Sequence, residues 1–382
     1  MNRHFRRAGT SGLGLAIAAA LVATTNVVGA SPWTTPVTVA TAQYPNLDGA
    51  AFSGNNVAVI WNVRKHGMFV RTSRDSGASF ASVTRFSDAE DLGGAVTLCG
   101  DEVDVVYVRH LPSGDWALER AVGSAGHSAF TTTPISVGPE TRSFPDVACS
   151  DGRLFVTWAQ VEDGKLDLLF SSARLADGVF NAPISLGLDN STYYPDTLVV
   201  TSSAGMAYVA YALGDGYLWL KRWRIGPGPA DALSSRPKLA IATGTVHHRP
   251  LNAVLAADGS TLAASWEKCF GVKAKVSADR GRIWGPTAAV VHYPCTAIVE
   301  GGSSPIEIAA HDGSVALVYD SYGIPNFDAQ YLRTSADNFT ASLTLGNHQQ
   351  HSVGYLDVAG VTRLADVYSS NRQVRFRIEV SA

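Results

Sequence analysis

The sequence predicts an all-β fold, a seven-bladed β-propeller of four-stranded blades. Three observations predict it. A short apolar strand that ends in Trp or Tyr recurs along the chain, clusters of Gly, Asp and Asn separate the strands, and the last repeat lacks a strand that the N-terminal segment can supply. A strand-built unit that repeats about every fifty residues is typical of propeller blades.

The aromatic-ended strand occurs seven times, and 46 to 55 residues separate successive terminal aromatics. Val, Leu, Ile and Ala precede the aromatic in these copies, a composition that favours strands over helices. The terminal aromatics are Trp61, Tyr107, Trp158, Tyr211, Trp266, Tyr319 and Tyr368. We therefore expect residues 31–382 to form a single repeat domain rather than several unrelated domains.

The third copy illustrates the four strands of one unit. Gly-containing turns separate apolar runs of four to seven residues, as expected for consecutive hairpins. The predicted strands are residues 146–149, 154–158, 166–171 and 180–186.

The seventh unit ends after its third strand, and its missing strand is predicted at the N-terminus. Residues 33–39 match residues 180–186 as aromatic-x-x-Pro, then a β-branched, a hydroxyl and an aliphatic residue. Pairing residues 33–39 beside residues 372–380 would close the ring and cover a sheet edge that would otherwise be open.

Residues 73–80 and 277–284 share the pattern Ser-x-Asp-x-Gly-x-x-aromatic. In a tight turn, the Asp accepts backbone hydrogen bonds, the Gly adopts a positive φ and the aromatic ring anchors the turn. The pattern resembles the Asp box (BNR repeat) of sialidase-like β-propellers. This resemblance implies that the functional site lies on the face opposite these turns. No sialidase catalytic residue is carried over, because residues 43–45 read Gln-Tyr-Pro where the family has an Arg motif.

Residues 1–30 are predicted to be a signal peptide, which indicates a secreted, extracellular protein. Three arginines precede an apolar run at residues 13–22, and small residues at 28–30 suit cleavage. The adjacent Arg6 and Arg7 leave the general and twin-arginine export routes open. Loss of the three leader arginines takes the formal charge from −3 to −6, which argues against a nucleic-acid partner. No later stretch is apolar enough to span a membrane.

Four cysteines in an exported chain, with no Cys-x-x-Cys pair, favour disulfides over metal ligation. Of the three possible pairings we favour Cys99 with Cys149, because they stand at nearly equivalent positions of consecutive repeats. Cys269 would then pair with Cys295, and both belong to loops around the fifth repeat. No metal or other cofactor is expected.

Candidate site residues come from the loops of the predicted functional face. Glu267 and Asp320 follow the terminal aromatics of neighbouring repeats, so their carboxylates could share acid and base work. Arg249 could bind an anionic group, and tyrosine rings could stack on sugars. The predicted catalytic residues are Glu267, Asp320 and His248, and the predicted substrate-binding residues are Arg249, His247, Tyr193, Tyr194 and Arg142. Arg109 and His351 are also predicted to lie in loops of this face.

These features favour a secreted carbohydrate-active enzyme, either a glycoside hydrolase or a polysaccharide lyase acting on an anionic extracellular glycan. The face loops differ between repeats, which indicates one site rather than a repeated lectin site. Two alternatives remain open at the level of sequence: a lectin-like glycan-binding propeller without catalysis, and a protein-binding scaffold. A monomer is expected.

Overall fold

A computed structural model gives the structure of the protein. The residues that it describes are 33–43, 45–64, 66–86, 93–139, 142–162, 164–189, 197–213, 215–225, 233–235, 238–244, 250–269, 271–291, 301–323, 327–333, 339, 342–346, 350–370 and 372–380. The structure describes the backbone but not the side chains of a subset of these residues: 142, 162, 189, 233–235, 301–306, 320–323, 327–333, 342–344, 346 and 370.

The described strands form seven antiparallel sheets, here called sheets 1 to 7 in chain order. The chain opens with β1 (Val37–Thr41), which belongs to sheet 7. Sheet 1 holds β2 (Pro45–Ser53), β3 (Asn56–Val63), β4 (Gly67–Ser73) and β5 (Thr84–Arg85); sheet 2 holds β6 (Gly94–Cys99), β7 (Glu102–His110), β8 (Trp116–Ser124) and β9 (Phe130–Gly138); sheet 3 holds β10 (Arg142–Ser150), β11 (Arg153–Glu162), β12 (Lys165–Arg174) and β13 (Ile184–Asp189).

The second half of the chain repeats this order. Sheet 4 holds β14 (Leu198–Ser203), β15 (Met206–Ala212), β16 (Tyr217–Ile225), β17 (Leu233–Ser235) and β18 (Leu239–Thr243); sheet 5 holds β19 (Leu251–Asp258), β20 (Thr261–Lys268), β21 (Gly271–Ser277) and β22 (Ala288–Ala289); sheet 6 holds β23 (Gly301–His311), β24 (Ser314–Gly323), β25 (Phe327–Arg333) and β26 (Ser342–Gly346); sheet 7 holds β27 (Gln350–Val358), β28 (Val361–Ser370), β29 (Gln373–Ile378) and β1.

The first strands of the sheets surround a central channel. Strands β2, β6, β10, β14, β19, β23 and β27 contact one another in that order, and β27 contacts β2 again. A buried apolar cluster fills each junction between neighbouring sheets. At the junction of sheets 3 and 4, Phe170 stacks on Trp223 with ring centroids 4.1 Å apart. The protein is therefore an all-β propeller with four-stranded blades.

The predicted pairing of the two chain ends is confirmed. Strand β1 pairs antiparallel with β29, with Val37 opposite Phe376 and Thr41 opposite Gln373. Trp33 adds an isolated bridge to Glu379. The N-terminal segment thus supplies the outer strand of sheet 7, so that sheet has no open edge at β29.

Sheet 4 departs from the prediction of four strands in every unit. Both β17 and β18 pair with β16, on successive parts of its length. The outer strand is therefore divided: β17 ends at Ser235 and β18 begins at Leu239.

The turn at residues 73–80 is held by its own side chains. The hydroxyl of Ser73 donates to Oδ1 of Asp75 at 2.7 Å, and it accepts the amide of Gly77 at 3.0 Å. The same Oδ1 accepts the amide of Ser79 at 2.9 Å. Gly77 has a φ of +78° and packs against the ring of Phe376, so a side chain at this position would meet both backbone strain and a clash.

The turn at residues 277–284 repeats these bonds at the same offsets. Ser277 donates to Oδ1 of Asp279 at 2.7 Å and accepts the amide of Gly281 at 2.9 Å. Asp279 Oδ1 also accepts the amide of Ile283 at 2.8 Å. This bond and the one from Ser277 hold the pKa of Asp279 below its ordinary value. The two Ser-x-Asp-x-Gly segments are therefore geometrically equivalent turns.

Side chains of the turns between first and second strands join neighbouring sheets on this same face. In three such turns, a side-chain oxygen accepts a hydrogen bond from a backbone amide in the corresponding turn of the next sheet. The donor and acceptor residues are 54 or 56 positions apart in the sequence. The three bonds are Gly205 to Asp151 at 2.8 Å, Gly259 to Ser203 at 2.9 Å and Asp312 to Asp258 at 2.8 Å. We call this end of the channel the turn face.

A buried ion-paired group lies inside sheet 7. Asp366 Oδ1 is 2.9 Å from His351 Nδ1, and its Oδ2 accepts from Arg377 at 2.8 Å. Burial alone would raise the pKa of Asp366, but His351 and Arg377 outweigh it and hold that pKa below its ordinary value. The assignment of His351 to a functional loop is therefore wrong: it lies within β27, and its side chain is fully buried.

One predicted disulfide is confirmed. Cys99 and Cys149 are bonded, with their Cα atoms 5.7 Å apart, and they join the first strands of sheets 2 and 3. Cys269 is also disulfide-bonded, and its predicted partner Cys295 lies outside the described residues. The bond between Cys99 and Cys149 closes a loop of about fifty residues, a length at which a cross-link restricts the unfolded chain appreciably.

Candidate functional site in the central channel

Most of the predicted site residues are not described by the structure. Tyr193, Tyr194, His247, His248 and Arg249 lie outside the described residues. Two others are described by their backbone alone: Arg142 is the first residue of β10, and Asp320 lies in β24 opposite Ser304.

Glu267 is the predicted catalytic residue whose side chain the structure describes. It lies near the end of β20, opposite Leu251, and its Oε2 accepts a hydrogen bond from Asn252 Nδ2 at 3.0 Å. Asn252 has a φ of +48° and lies in an irregular part of β19, where the register shifts between Leu251 and Val254. This bulge brings the side-chain amide of Asn252 to Glu267. The carboxylate of Glu267 is therefore oriented by β19, the strand next to it in sheet 5.

Arg109 is held in an ion pair instead of extending into a loop. It lies in β7, and its Nη2 is 2.5 Å from Oε1 of Glu119, which is almost fully buried. Burial raises the pKa of Tyr107, and a hydrogen bond to Glu119 raises it further. Tyr107 is only 1% exposed, so its hydroxyl lies inside sheet 2 and is not available to a substrate.

A cavity of about 380 Å³ lies in the channel, at the end where the first strands begin. It is lined by residues of β2, β6, β10, β14, β19 and β23, so six sheets contribute to it. Three acidic residues are among its lining: Asp48, Asp146 and Glu307. This end of the channel is opposite the turn face. The resemblance to sialidase-like propellers implies a functional site at this end.

Irregularities in the first strands place these acidic residues. The register shifts on either side of Asp48 in β2, just before Asp146 in β10 and just before Glu307 in β23. Such bulges re-aim a side chain that regular alternation would direct elsewhere. The carboxylate of Asp48 then accepts from Asn62 Nδ2 at 2.8 and 3.0 Å.

Asp146 accepts two backbone hydrogen bonds. Its Oδ1 binds the amide of Val147 at 2.8 Å, and its Oδ2 binds the amide of Val200 in the next sheet, also at 2.8 Å. Burial raises the pKa of Asp146 to about 6, although both amides oppose that shift. Asp146 therefore joins sheets 3 and 4 and is mostly ionised at neutral pH.

Glu307 has the more strongly raised pKa of the two. Burial raises it to about 8, the amide of Ile308 opposes the shift, and the negative charge of Asp146 adds to it. The Ile308 amide donates to Glu307 Oε1 at 3.2 Å. Glu307 is therefore mostly protonated at neutral pH.

The channel thus holds two carboxyl groups with raised pKa values, and the charge of Asp146 contributes to the raised pKa of Glu307. Environments that push two carboxyl pKa values to opposite sides of neutrality are characteristic of acid and base assignments in catalysis. Glu307 is suited to donate a proton and Asp146 to accept one.

Neither Asp146 nor Glu307 was predicted as a site residue, because both lie within strands instead of loops. A sequence signal was present. Each acidic residue follows a proline of the first strand within three positions: Pro45 precedes Asp48, Pro145 precedes Asp146 and Pro305 precedes Glu307. Proline disfavours regular pairing, so an acidic residue just after it marks a candidate bulge.

The pKa of Glu307 predicts that the protein loses stability as the pH rises. The folded state favours the protonated form, so this contribution is fully present below the ordinary pKa of 4.5 and is lost as the pH rises through about 8. We expect the free energy of unfolding to fall by about 5 kcal/mol over this range, because each pKa unit between 4.5 and about 8 corresponds to about 1.4 kcal/mol. Denaturant unfolding at a series of pH values measures it.

The control for this pH dependence is Glu307→Gln, which cannot ionise. Its free energy of unfolding should decline much less between pH 4.5 and 8, since the ionisation of Glu307 is removed while that of Asp146 is retained. Equal declines in both proteins would contradict the assignment of the raised pKa to Glu307.

No group of His, Cys, Asp and Glu among the described residues has an arrangement that could hold a metal ion. The described part of the chain also contains no helix with the length and apolar character needed to cross a membrane.

No protein-family model and no curated protein matches the sequence. Solved structures do share its fold. An ulvan lyase, described as a new family of polysaccharide lyase, aligns with a TM-score of 0.59 at 9% identity, over 91% of this chain and 96% of its own. The β-propeller domain of the trilobed protease from Pyrococcus furiosus gives 0.50 at 9% identity, over 89% and 99%.

A third similar structure is the acylaminoacyl peptidase of Pyrococcus horikoshii, with a TM-score of 0.51 at 10% identity, over 88% of this chain and 51% of the peptidase. A lyase and two peptidase-related proteins thus share the architecture. Likeness at these identities shows the propeller fold alone, since one fold supports many activities.

Proposed function

We propose that the protein is a secreted, carbohydrate-active β-propeller that cleaves an anionic extracellular glycan at the end of its channel opposite the turn face. One observation carries the proposal: the cavity there holds Glu307 and Asp146, whose pKa values of about 8 and about 6 lie on either side of neutrality. Such a pair can move protons in both directions at the same pH.

The two carboxyl groups have separate roles in this proposal. Glu307 donates its proton to the oxygen of the leaving sugar as the glycosidic bond breaks. Asp146 accepts a proton, either from the attacking water in hydrolysis or from C5 of a uronate in elimination. In both routes one proton is given and one is taken, so the pair ends the step with its protonation states exchanged.

The residues predicted from the sequence would provide the remaining parts of the proposed site. Glu267, oriented by Asn252, would act as a further carboxylate at this end of the propeller. Arg249 would bind an anionic group of the glycan, and tyrosine rings would stack on its sugars. The other sequence-predicted residues retained in the proposal are Asp320, His247, His248, Arg249, Tyr193, Tyr194 and Arg142.

The proposal includes membership of the sialidase-like propellers and a ring of seven blades. The equivalent hydrogen bonds of the turns at 73–80 and 277–284 support the first part. The closed order of contacts among the first strands of sheets 1 to 7 supports the second. An experimental structure with a different number of blades would contradict it.

A glycan panel tests the proposed function. The fold is shared with an ulvan lyase that was solved bound to a GlcA(1-4)Rha3S unit, so sulfated and uronate-containing polysaccharides belong in the panel beside sialosides and neutral glycans. We expect an anionic glycan to release reducing ends. A simultaneous rise in the absorbance of unsaturated uronates would identify a lyase, and its absence a hydrolase. Binding without cleavage would contradict catalysis and indicate a lectin, and no binding would contradict the whole proposal.

A further inference from the structure

A groove rich in arginine lies at the turn face, between sheets 4 and 5. It has a volume of about 650 Å³ and is lined by residues 204–206, by the end of β16 and by the turn after β21. Arg222 and Arg224 come from β16, and Arg280 and Arg282 come from the turn. The groove is therefore at the opposite end of the propeller from Asp146 and Glu307.

The strand and the turn fix the spacing of these four side chains. Arg222 and Arg224 are two residues apart in β16, so they project from one side of the strand about 7 Å apart. Arg222 Nη1 donates to the backbone oxygen of Arg280 at 3.2 Å, which ties the strand to the turn of the next sheet. The groove is thus a constructed feature of the junction between two sheets.

The groove has a strongly positive character. No acidic residue is among its described lining residues. Asp279, in the same turn, directs Oδ1 toward the turn amides, including that of Arg282 at 3.1 Å. Burial raises the pKa of Tyr208 to about 12, while the charges of Arg280, Arg222 and Arg282 oppose that shift. The three guanidinium groups therefore act on one small region.

The exposed arginines of the groove are not used in ion pairs with the described residues. Arg224, Arg280 and Arg282 are exposed, and no described carboxylate lies within salt-bridge distance of their guanidinium groups. Other arginines of the described chain are paired with acids: Arg109 with Glu119, Arg120 with Asp104, Arg174 with Asp177 and Arg377 with Asp366. The groove concentrates guanidinium groups that can accept an external anion.

We propose that this groove is a second binding site that holds the oxyanion groups of an anionic polysaccharide. Guanidinium groups bind sulfate and carboxylate through paired hydrogen bonds, and several of them along a groove suit a chain that carries such groups repeatedly. The proposal extends the proposed function, from which it takes the polysaccharide class of ligand. The formal charge of −3 over the whole chain disfavours general attraction to nucleic acid.

The test is direct binding without turnover. Isothermal titration measures the affinity of the full-length protein for dextran sulfate, polygalacturonate, uncharged dextran and a single-stranded DNA oligonucleotide. Dextran sulfate and polygalacturonate distinguish sulfate from carboxylate as the preferred group. The variant is Arg224→Gln with Arg282→Gln, and both positions are exposed, so the fold should be retained. Replacement of both residues by Lys keeps the charge and removes the planar fork.

A matched control removes two arginines from the same face but outside the groove: Arg74→Gln with Arg174→Gln. We expect the groove variant to lose at least about tenfold in affinity for dextran sulfate or polygalacturonate, the Lys variant to lose less, and the control to stay within about twofold of the unaltered protein. Unchanged affinity in the groove variant, an equal loss in the control, or equally tight binding of uncharged dextran or DNA would overturn the proposal.

The outcome can be separated from that of the proposed function. Loss of polyanion binding in the groove variant would stand even if no glycan in the panel were cleaved. Conversely, unchanged polyanion binding in that variant would remove the groove site and leave the channel carboxyl groups as the proposed catalytic pair.

Discussion

Val39→Asp is expected to lower the melting temperature by about 8 °C or more. Val39 lies in β1, is fully buried and belongs to the apolar cluster between sheets 7 and 1, together with Val374 and Phe376. An aspartate there would place an uncompensated charge in apolar surroundings and remove a methyl-rich side chain from the cluster, for a combined loss of several kcal/mol. Each kcal/mol corresponds to roughly 2 °C in a chain of this size.

Thr38→Asp is the matched control, because Thr38 is the preceding residue of the same strand and its side chain is exposed. The same charge introduced there should change the melting temperature by less than about 2 °C. Calorimetry of both variants measures the difference. Similar melting temperatures for the two variants would mean that β1 does not close sheet 7 in solution.

The pairing of β1 with β29 shows how much the comparison of sequence repeats could predict. The match between residues 33–39 and residues 180–186 indicated that the N-terminal segment completes the last sheet, and β1 pairs with β29 as expected. In the third unit the four predicted strands also appear, but β13 begins at Ile184 rather than at residue 180, and Phe180 makes only an isolated bridge to Ala173. Apolar periodicity locates strands well, while the point at which pairing begins depends on the neighbouring strand.

Tertiary context explains where the loop assignments differ from the structure. Arg109 and His351 follow or precede predicted strands by only a few residues, which suggested loops. The strands extend further, to His110 in β7 and from Gln350 in β27. Glu119 and Asp366 are the hydrogen-bond partners of these two side chains, and no local sequence pattern reveals such partners from other strands.

The channel carboxyl groups are functional candidates that the sequence alone did not predict. A sequence reading assigns in-strand acidic residues to solvent or to chain ends, because burial of a charge is unfavourable. The bulges at Asp146 and Glu307 make burial compatible with hydrogen bonding, and the ring of sheets then brings residues 161 positions apart into one cavity. Proximity of this kind follows from the closed ring and not from any local motif.

Asp146 also performs a structural task, so its catalytic role must be separated from that task. Its Oδ2 accepts the amide of Val200 and thereby joins sheets 3 and 4. Asp151 joins the same two sheets by accepting the amide of Gly205, also at 2.8 Å, but it does so at the turn face. The chain thus contains two equivalent bonds between the same sheets, one at each end of the channel.

Glu307→Gln and Asp146→Asn are each expected to lower turnover of the cleaved glycan by at least about a hundredfold. The amides keep the size of the side chains and an acceptor oxygen, but they cannot donate or accept the transferred proton. Asp151→Asn should retain turnover within about twofold, although it weakens the same kind of bond between sheets 3 and 4. The measurements are kcat for each variant and its melting temperature. A comparable loss of kcat in Asp151→Asn would assign the effect to the junction of the sheets, and full activity in both channel variants would remove Glu307 and Asp146 from the reaction.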